Sequence, residues 1–326
     1  MNIAICLSLS FDKKGPYKYL GDQYRQFREA LSCLAAEVLQ KTGKGLHFVQ
    51  IDDLQADGSF GLCYTLRDTI ADCLRFEVAH ECCMPDVVIN RRKDELYNHP
   101  YFANASWLAY NAKEIAELGN KAVSLREFSH YMPKGTCFNS DVDIEKIKDV
   151  INQNPKIANW VVKPLRENGG RGIFLLKRDS AVETIVGYGE PVLLQEFCET
   201  RSVSKLQVTG RHDIRAYVID GEPLLLAIRQ PKEGGFLANT AAGGSIRFLD
   251  IALLPVEARN MLDDVVSDIN TIKNRYFVSV DIFYADGGWR LIEINDQPGL
   301  PAPYQTPLAR IIIQKLIESL EGVRND

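Results

Sequence analysis

Residues 276–295 read YFVSVDIFYADGGWRLIEIN, and this stretch decides the fold. Two runs rich in β-branched and aromatic residues flank Asp286-Gly287-Gly288, which predicts an antiparallel hairpin. With a three-residue loop, Ala285 faces Trp289 and Asp281 lies directly opposite Glu293. Strand alternation then sets Val278, Val280, Ile282, Ile292 and Ile294 on one apolar face, and Asp281, Glu293 and Asn295 on the other. Like charges opposed in a ladder repel. A hard dication between them would turn repulsion into attraction, and Mg²⁺ takes oxygen ligands in the company of phosphates. A two-residue turn would break this pairing, and a solvated polar face is the other reading of the same pattern.

Working outward, DIRAYVIDGEPLLLAIRQ (213–230) forms a second hairpin that turns at Asp220-Gly221 and carries Asp213, Arg215 and Arg229. Arginine suits anions because its donors form a fixed fork. The two arginines share a face only if the turn holds an odd number of residues, and the sequence leaves that open. Asn239 and the pair Gly243-Gly244 follow. Upstream, VVKPLRENGGRGIFLLK (161–177) places Lys163 at the end of a buried strand. Gly169, Gly170 and Gly172 then make a turn whose backbone N–H groups can approach phosphate oxygens. Cations, a pliable glycine loop and a carboxylate/amide metal set together suit a polyphosphate with its metal.

The first hundred residues alternate short apolar runs (2–8, 46–51, 85–90) with helical stripes (24–41, 64–79). That β-α-β-α-β rhythm predicts a small parallel sheet covered by helices, with ligand-binding loops at 8–17 and 90–93. No GxGxxG or Walker loop occurs there. Helices are predicted over 110–118, from Asp143 onward, over 257–273 and over 307–320. The 326 residues are 46% apolar and 25% charged, which excludes a disordered or low-complexity chain. Lys plus Arg is 38 against 43 Asp plus Glu, a net charge of −5. That balance argues against a nucleic-acid binder acting through bulk charge. No apolar run reaches the roughly 18 residues that span a bilayer, and the start reads as a buried strand rather than a signal peptide. The eight cysteines show no CxxC pair and no zinc spacing, so reduced cytoplasmic thiols are expected.

These segments, in this order, resemble the ATP-grasp superfamily, and within it prokaryotic glutathione synthetase. The resemblance runs from about 120 to 301. It rests on GNK (119–121), VVKPLRENGGRGIF (161–174), LLQEF (193–197), DIRAYVIDGEPL (213–224), NTAAGG (239–244) and VDIFYADGGWRLIEIN (280–295). It implies an α/β protein of three parts: an N-terminal parallel α/β domain (1–115), a small central lobe with the glycine lid (116–194) and a C-terminal lobe with the metal site (195–326). Lys121 and Lys163 would contact nucleotide phosphates, and Gly169, Gly170 and Gly172 would close over them. Gln195, Glu196, Phe197 and Cys198 would form the hinge whose backbone reads adenine, with Asp213 near the ribose. Arg215 and Arg229 would stabilise the acyl phosphate, while Asn239, Gly243 and Gly244 would meet substrate. Asp281, Glu293 and Asn295 would hold two Mg²⁺ ions.

The implied reaction is ADP-forming condensation of a small-molecule carboxylate with an amine by a cytoplasmic homodimer, without nucleic-acid or membrane partners. Alternatives are a kinase-like phosphotransferase without an amine acceptor and a non-catalytic nucleotide-binding protein. Three departures from glutathione synthetase fall where donor and acceptor would bind. Leu237 stands where that enzyme has Arg, the stretch 199–211 is longer, and Asp296-Gln297-Pro298-Gly299 follows the last strand in the manner of D-alanine–D-alanine ligases.

Overall fold

Three sheets organise the computed structural model of this chain. It describes residues 2–7, 17–19, 25–70, 73–80, 83–92, 94–106, 108–141, 144–167, 169–178, 182, 185, 189–238 and 243–322. The first sheet contains β1 (Ile3–Cys6), β2 (Tyr17–Tyr19), β3 (His47–Val49), β4 (Cys63–Ile70), β5 (Cys73–His80), β6 (Val87–Asn90) and β7 (Leu108–Tyr110). Its order is β2-β5-β4-β3-β1-β6-β7. The strands β3, β1, β6 and β7 run parallel, as the alternating pattern requires.

The expected helix over 64–79 is instead the antiparallel hairpin β4–β5. Its sequence fits either periodicity, and long-range packing decides. Tyr64 and Phe76 enter the core beside Phe48, with the Phe48 and Phe76 rings edge to face at 5.0 Å. The helix Arg25–Thr42 covers one side of the sheet with Leu31, Leu34 and Val38. Cys63 and Cys83 are joined by a disulfide, which corrects the expectation of thiols throughout; Cys6, Cys33, Cys137 and Cys198 are free.

The second sheet holds β8 (Gly135–Phe138), β9 (Asn159–Pro164), β10 (Phe174–Lys177) and β11 (Val192–Glu196) in the order β10-β9-β11-β8. Its core is its own: Trp160, Val162, Leu176, Val192 and Leu194 pack on Ile147 and Ile151 of the helix Ile144–Gln153. The third sheet holds β12 (Asp213–Ile219), β13 (Glu222–Gln230), β14 (Ser245–Asp250), β15 (Phe277–Ala285) and β16 (Gly288–Asn295), ordered β14-β13-β12-β15-β16.

The helix Val256–Ile272 lays Ala258, Leu262, Val265 and Ile269 against Val278, Val280 and Ile282 of β15. The preceding segment joins this core through Leu118, Phe128 and Met132. On the opposite face, Tyr217, Leu225, Ala227 and Phe277 share one cluster with the N-terminal sheet and the C-terminal helix Ala309–Gly322. The first and third sheets therefore rest on a common core. Among the described residues, no helix is long and apolar enough to cross a membrane.

Candidate active site

The β15–β16 hairpin sets Asp281 directly across from Glu293, the expected register, but by a different route. The turn is Asp286-Gly287, with Ala285 paired to Gly288, so the loop holds two residues rather than three. A bulge restores the register. Ile282 pairs with Leu291 and Asp281 with Glu293, leaving Ile292 as the extra residue. Leu291, not Ile292, completes the apolar face with Val280, Ile282 and Ile294. Ile292 turns to the cleft lining instead.

The same device operates in β12–β13. Asp220 and Gly221 both adopt positive φ (48° and 81°), the geometry of a tight two-residue hairpin turn. A register shift after Tyr217 then pairs Arg215 with Ala227 and Asp213 with Arg229. Arg215 and Arg229 consequently share a face, and β12–β15 pairing puts Arg215 directly beside Asp281.

The charged side chains form one connected cluster. Arg215 donates to both Asp281 carboxylate oxygens at 2.8 Å, and Arg229 donates to Oδ2 at 2.6 Å. Arg229 also grips Asp213 through two bonds of 2.6 and 2.9 Å. Asp281 is fully buried, which excludes the solvated polar face. Burial alone would raise its pKa, but the two guanidinium groups outweigh that and hold the carboxyl below its usual range. Burial pushes Asp213 upward, with Arg229 opposing. The repulsion expected between Asp281 and Glu293 is thus relieved here by protein cations. Lys121 Nζ stands 4.0 Å from Glu293. Asn295 donates through Nδ2 to Glu293 Oε1 at 3.2 Å, which leaves its Oδ1 as the atom suited to a cation.

The second sheet supplies Lys163, and the helix that opens at Lys121 supplies the other lysine. Lys163, on β9, is buried and donates to Gln195 Oε1 at 2.8 Å, while Gln195 donates to Pro133 O. Burial lowers the Lys163 pKa to about 8; Glu293 pulls it up and Lys121 presses it down. Lys121 is the first residue of the helix Lys121–Phe128, capped by the Asn120 side chain, and donates to Glu167 O at 2.8 Å. At the end of β11 the backbone keeps bonding to the flanking strands' ends: Glu196 N–H bonds Lys134 O, and Phe197 N–H bonds Asn159 O. Burial pushes the Cys198 thiol up to about 11, so it stays protonated and is no nucleophile at neutral pH.

These groups line one cleft of about 330 Å³ between the second and third sheets. Lys163, Gly169, Gly170, Gln195, Glu196, Phe197, Cys198, Asp213, Arg215, Arg229, Asp281, Glu293 and Asn295 are all on its lining. Lys121 sits just behind the lining, beneath Glu167 and Glu293. Gly172 is exposed at positive φ in the same turn and is not part of the lining. Asn239 lies outside the described residues. Gly243 and Gly244 stand just before β14, off the lining, which takes Phe236, Leu237 and Ala238 from that segment.

Sequence reasoning missed the apolar walls, Val161, Ile173, Phe283 and Ile292. For Ile292 no signal existed, because the bulge that turns it inward is a tertiary outcome. It also missed the rim pair Arg211–Glu199, bonded at 2.6 and 3.1 Å. The length of 199–211 was the available clue: its Val203, Leu206 and Val208 anchor in the third sheet's core, and its two ends reach the cleft rim.

A nucleotide-sized cleft between two antiparallel lobes, with a buried lysine and a glycine turn on one and paired carboxylates and arginines on the other, defines an ATP-grasp enzyme. Comparison agrees. Residues 121–297 match the family described as prokaryotic glutathione synthetase, ATP-grasp domain, and the chain belongs to that family of carboxylate–amine ligases. It is 28% identical over 269 residues to a glutathione synthetase of Yersinia pestis, covering 78% of this chain and 80% of that protein. A probable alpha-L-glutamate ligase of Syntrophotalea carbinolica is 28% identical over 222 residues, 65% of this chain and 67% of the other. The solved D-cycloserine synthetase shares the fold at a TM-score of 0.63 and 14% identity, over 98% of this chain and 100% of its own.

Proposed function

We propose that this cleft binds ATP and uses it to join a carboxylate to the amine of an amino acid or small peptide-like substrate. The observation that carries the reading is the Arg215–Asp281–Arg229 cluster facing Glu293 and Lys163 across one cavity. A carboxylate is a poor electrophile, because its charge is delocalised and its leaving group would be oxide. Transfer of the γ-phosphoryl group to a carboxylate oxygen, with ADP departing, gives an acyl phosphate. The amine then attacks the carbonyl carbon, and phosphate leaves with the former carboxylate oxygen. Catalysis of this kind is mainly positioning and charge stabilisation.

In this reading Lys121 and Lys163 hold phosphate oxygens, Gly169, Gly170 and Gly172 exclude water, and the backbone of residues 195–198 reads the adenine. Asp213 orients the ribose side. Arg215 and Arg229 neutralise the oxyanion that develops during amine attack. The donor chemistry of Asp281, Glu293 and Asn295 (two carboxylates and an amide oxygen on one sheet face) fits Mg²⁺. Bound there, Mg²⁺ would supply charge neutralisation for the polyphosphate. The cluster holds four protein cations, Lys121, Lys163, Arg215 and Arg229, against three carboxylates, Asp213, Asp281 and Glu293. Binding is then an exchange in which arginines pass from Asp281 to substrate oxygens.

The names of the relatives, glutathione synthetase and alpha-L-glutamate ligase, support substrates of amino-acid or peptide character. A matrix of carboxylates against amines, read by phosphate release, tests the proposal. Release is expected only where both partners are present, and hydroxylamine added with ATP and the acid alone should yield a hydroxamate. Phosphate release that never depends on an amine, with no hydroxamate, would overturn it.

A further inference from the structure

The first sheet carries a second group of chemically competent side chains, remote in sequence from the cleft residues and absent from its lining. His47 on β3, Cys63 at the start of β4 and Cys83 before β6 converge, their ligand atoms all lying within 4.8 Å of one another. His47 Nδ1 is 3.9 Å from Cys83 Sγ. Three separate segments bring them together. The β3–β4 pairing matches His47 with Thr65, two residues from Cys63 and on the same face. Cys83 is fixed by reciprocal 2.9 Å backbone bonds with Phe60.

We propose that this cluster, with its disulfide reduced, is a zinc-binding site independent of the nucleotide cleft. Two thiolates and an imidazole are the donor types of structural zinc sites. Both cysteines are buried among Val49, Ile51, Leu54, Phe60 and Val88. An apolar core tolerates a charge only if it is cancelled locally, and Zn²⁺ with two thiolates is neutral. An imidazole whose Nδ1 already lies 3.9 Å from one sulfur is placed as a natural third ligand for a metal between the two.

The chemistry balances in two stages. A dithiol reductant gives two electrons and two protons to the Cys63–Cys83 bond and becomes a disulfide itself. Zn²⁺ then displaces the two thiol protons, which leave to solvent. The bonded pair and the metal are therefore alternative occupants of one position, each tying β4 to the segment before β6.

The test compares the full-length protein reduced by a dithiol with the same protein oxidised, each equilibrated with zinc and freed of excess. Metal content by mass spectrometry should be one zinc per chain after reduction and none after oxidation. Cobalt substituted into the reduced protein should show a thiolate-to-metal charge-transfer band. His47→Ala should weaken zinc binding at least about 100-fold. His47→Ala binding zinc like wild type would overturn the assignment. So would a reduced protein that takes up no zinc, or zinc that persists after oxidation or in the Cys63→Ser/Cys83→Ser variant. The oxidised and reduced wild-type proteins keep the test decisive should a variant fail to fold.

Discussion

Raising the pH should release ATP, and Lys163 sets where this happens. Its ammonium is buried, and burial lowers its pKa to about 8 against the pull of Glu293. A phosphate oxygen beside it favours the charged form, so nucleotide binding takes up a proton wherever the empty enzyme has lost one. If only the charged form binds, ATP affinity is nearly unchanged at pH 7 and falls about elevenfold by pH 9, or roughly 1.4 kcal/mol. Proton uptake should be about half a proton per nucleotide at pH 8 and about one tenth at pH 7. Calorimetry with a non-hydrolysable ATP analogue, repeated in buffers of different ionisation enthalpy, reads both quantities. Lys163→Met should bind weakly at every pH and show neither the slope nor the uptake. A flat wild-type affinity from pH 7 to 9, or a slope that survives in Lys163→Met, would refute the reasoning.

Glu293→Ala should abolish ADP formation in a coupled assay while the thermal transition moves little, since Glu293 is partly exposed and its partner Lys121 keeps its bond to Glu167 O. Arg215→Ala leaves Asp281 held by Arg229 alone. It should cost about 2–3 kcal/mol in urea unfolding, less than the ~3–5 expected for an orphaned buried charge, and wild-type stability would contradict the clamp. Arg215→Lys should recover part of that stability but not turnover, because an ammonium cannot reproduce the fork. The bulge makes neighbours behave oppositely. Ile292→Ala should weaken ATP binding by about 1–2 kcal/mol with unfolding unchanged, whereas Leu291→Ala should cost about 2–4 kcal/mol of stability. Equal effects at the two positions would rule the bulge out.

Much of the site was legible because strand alternation and charge are local signals. Asp281 opposite Glu293 follows from a hairpin whose ends are marked by Asp286-Gly287-Gly288. Parity was not legible. Both hairpins turn in two residues and recover the register with a bulge, and nothing in Ile292 or in the stretch after Tyr217 announces it. The arginine clamp on Asp281 depends on β12 lying beside β15, a contact between segments 66 residues apart. Residues 64–79 failed for a different reason. Leu66, Ile70 and Leu74 recur at helical spacing, yet Tyr64 and Phe76 gain more by closing over Phe48 as strands. Likewise, the Cys63–Cys83 bond joins residues brought together by the β4–β5 hairpin, a contact that no local signal announces.

The second sheet keeps its apolar core to itself, while the first and third share theirs. Swinging that sheet as a unit would expose none of the shared interior, so the work of opening the mouth falls on a few polar bonds such as Lys121 N–H to Leu165 O and Lys121 Nζ to Glu167 O. Separating the outer two sheets would instead strip the terminal helix of its bed. The molecule is thus built as a fixed anvil with one jaw, and the jaw carries Lys163 while the anvil carries Lys121.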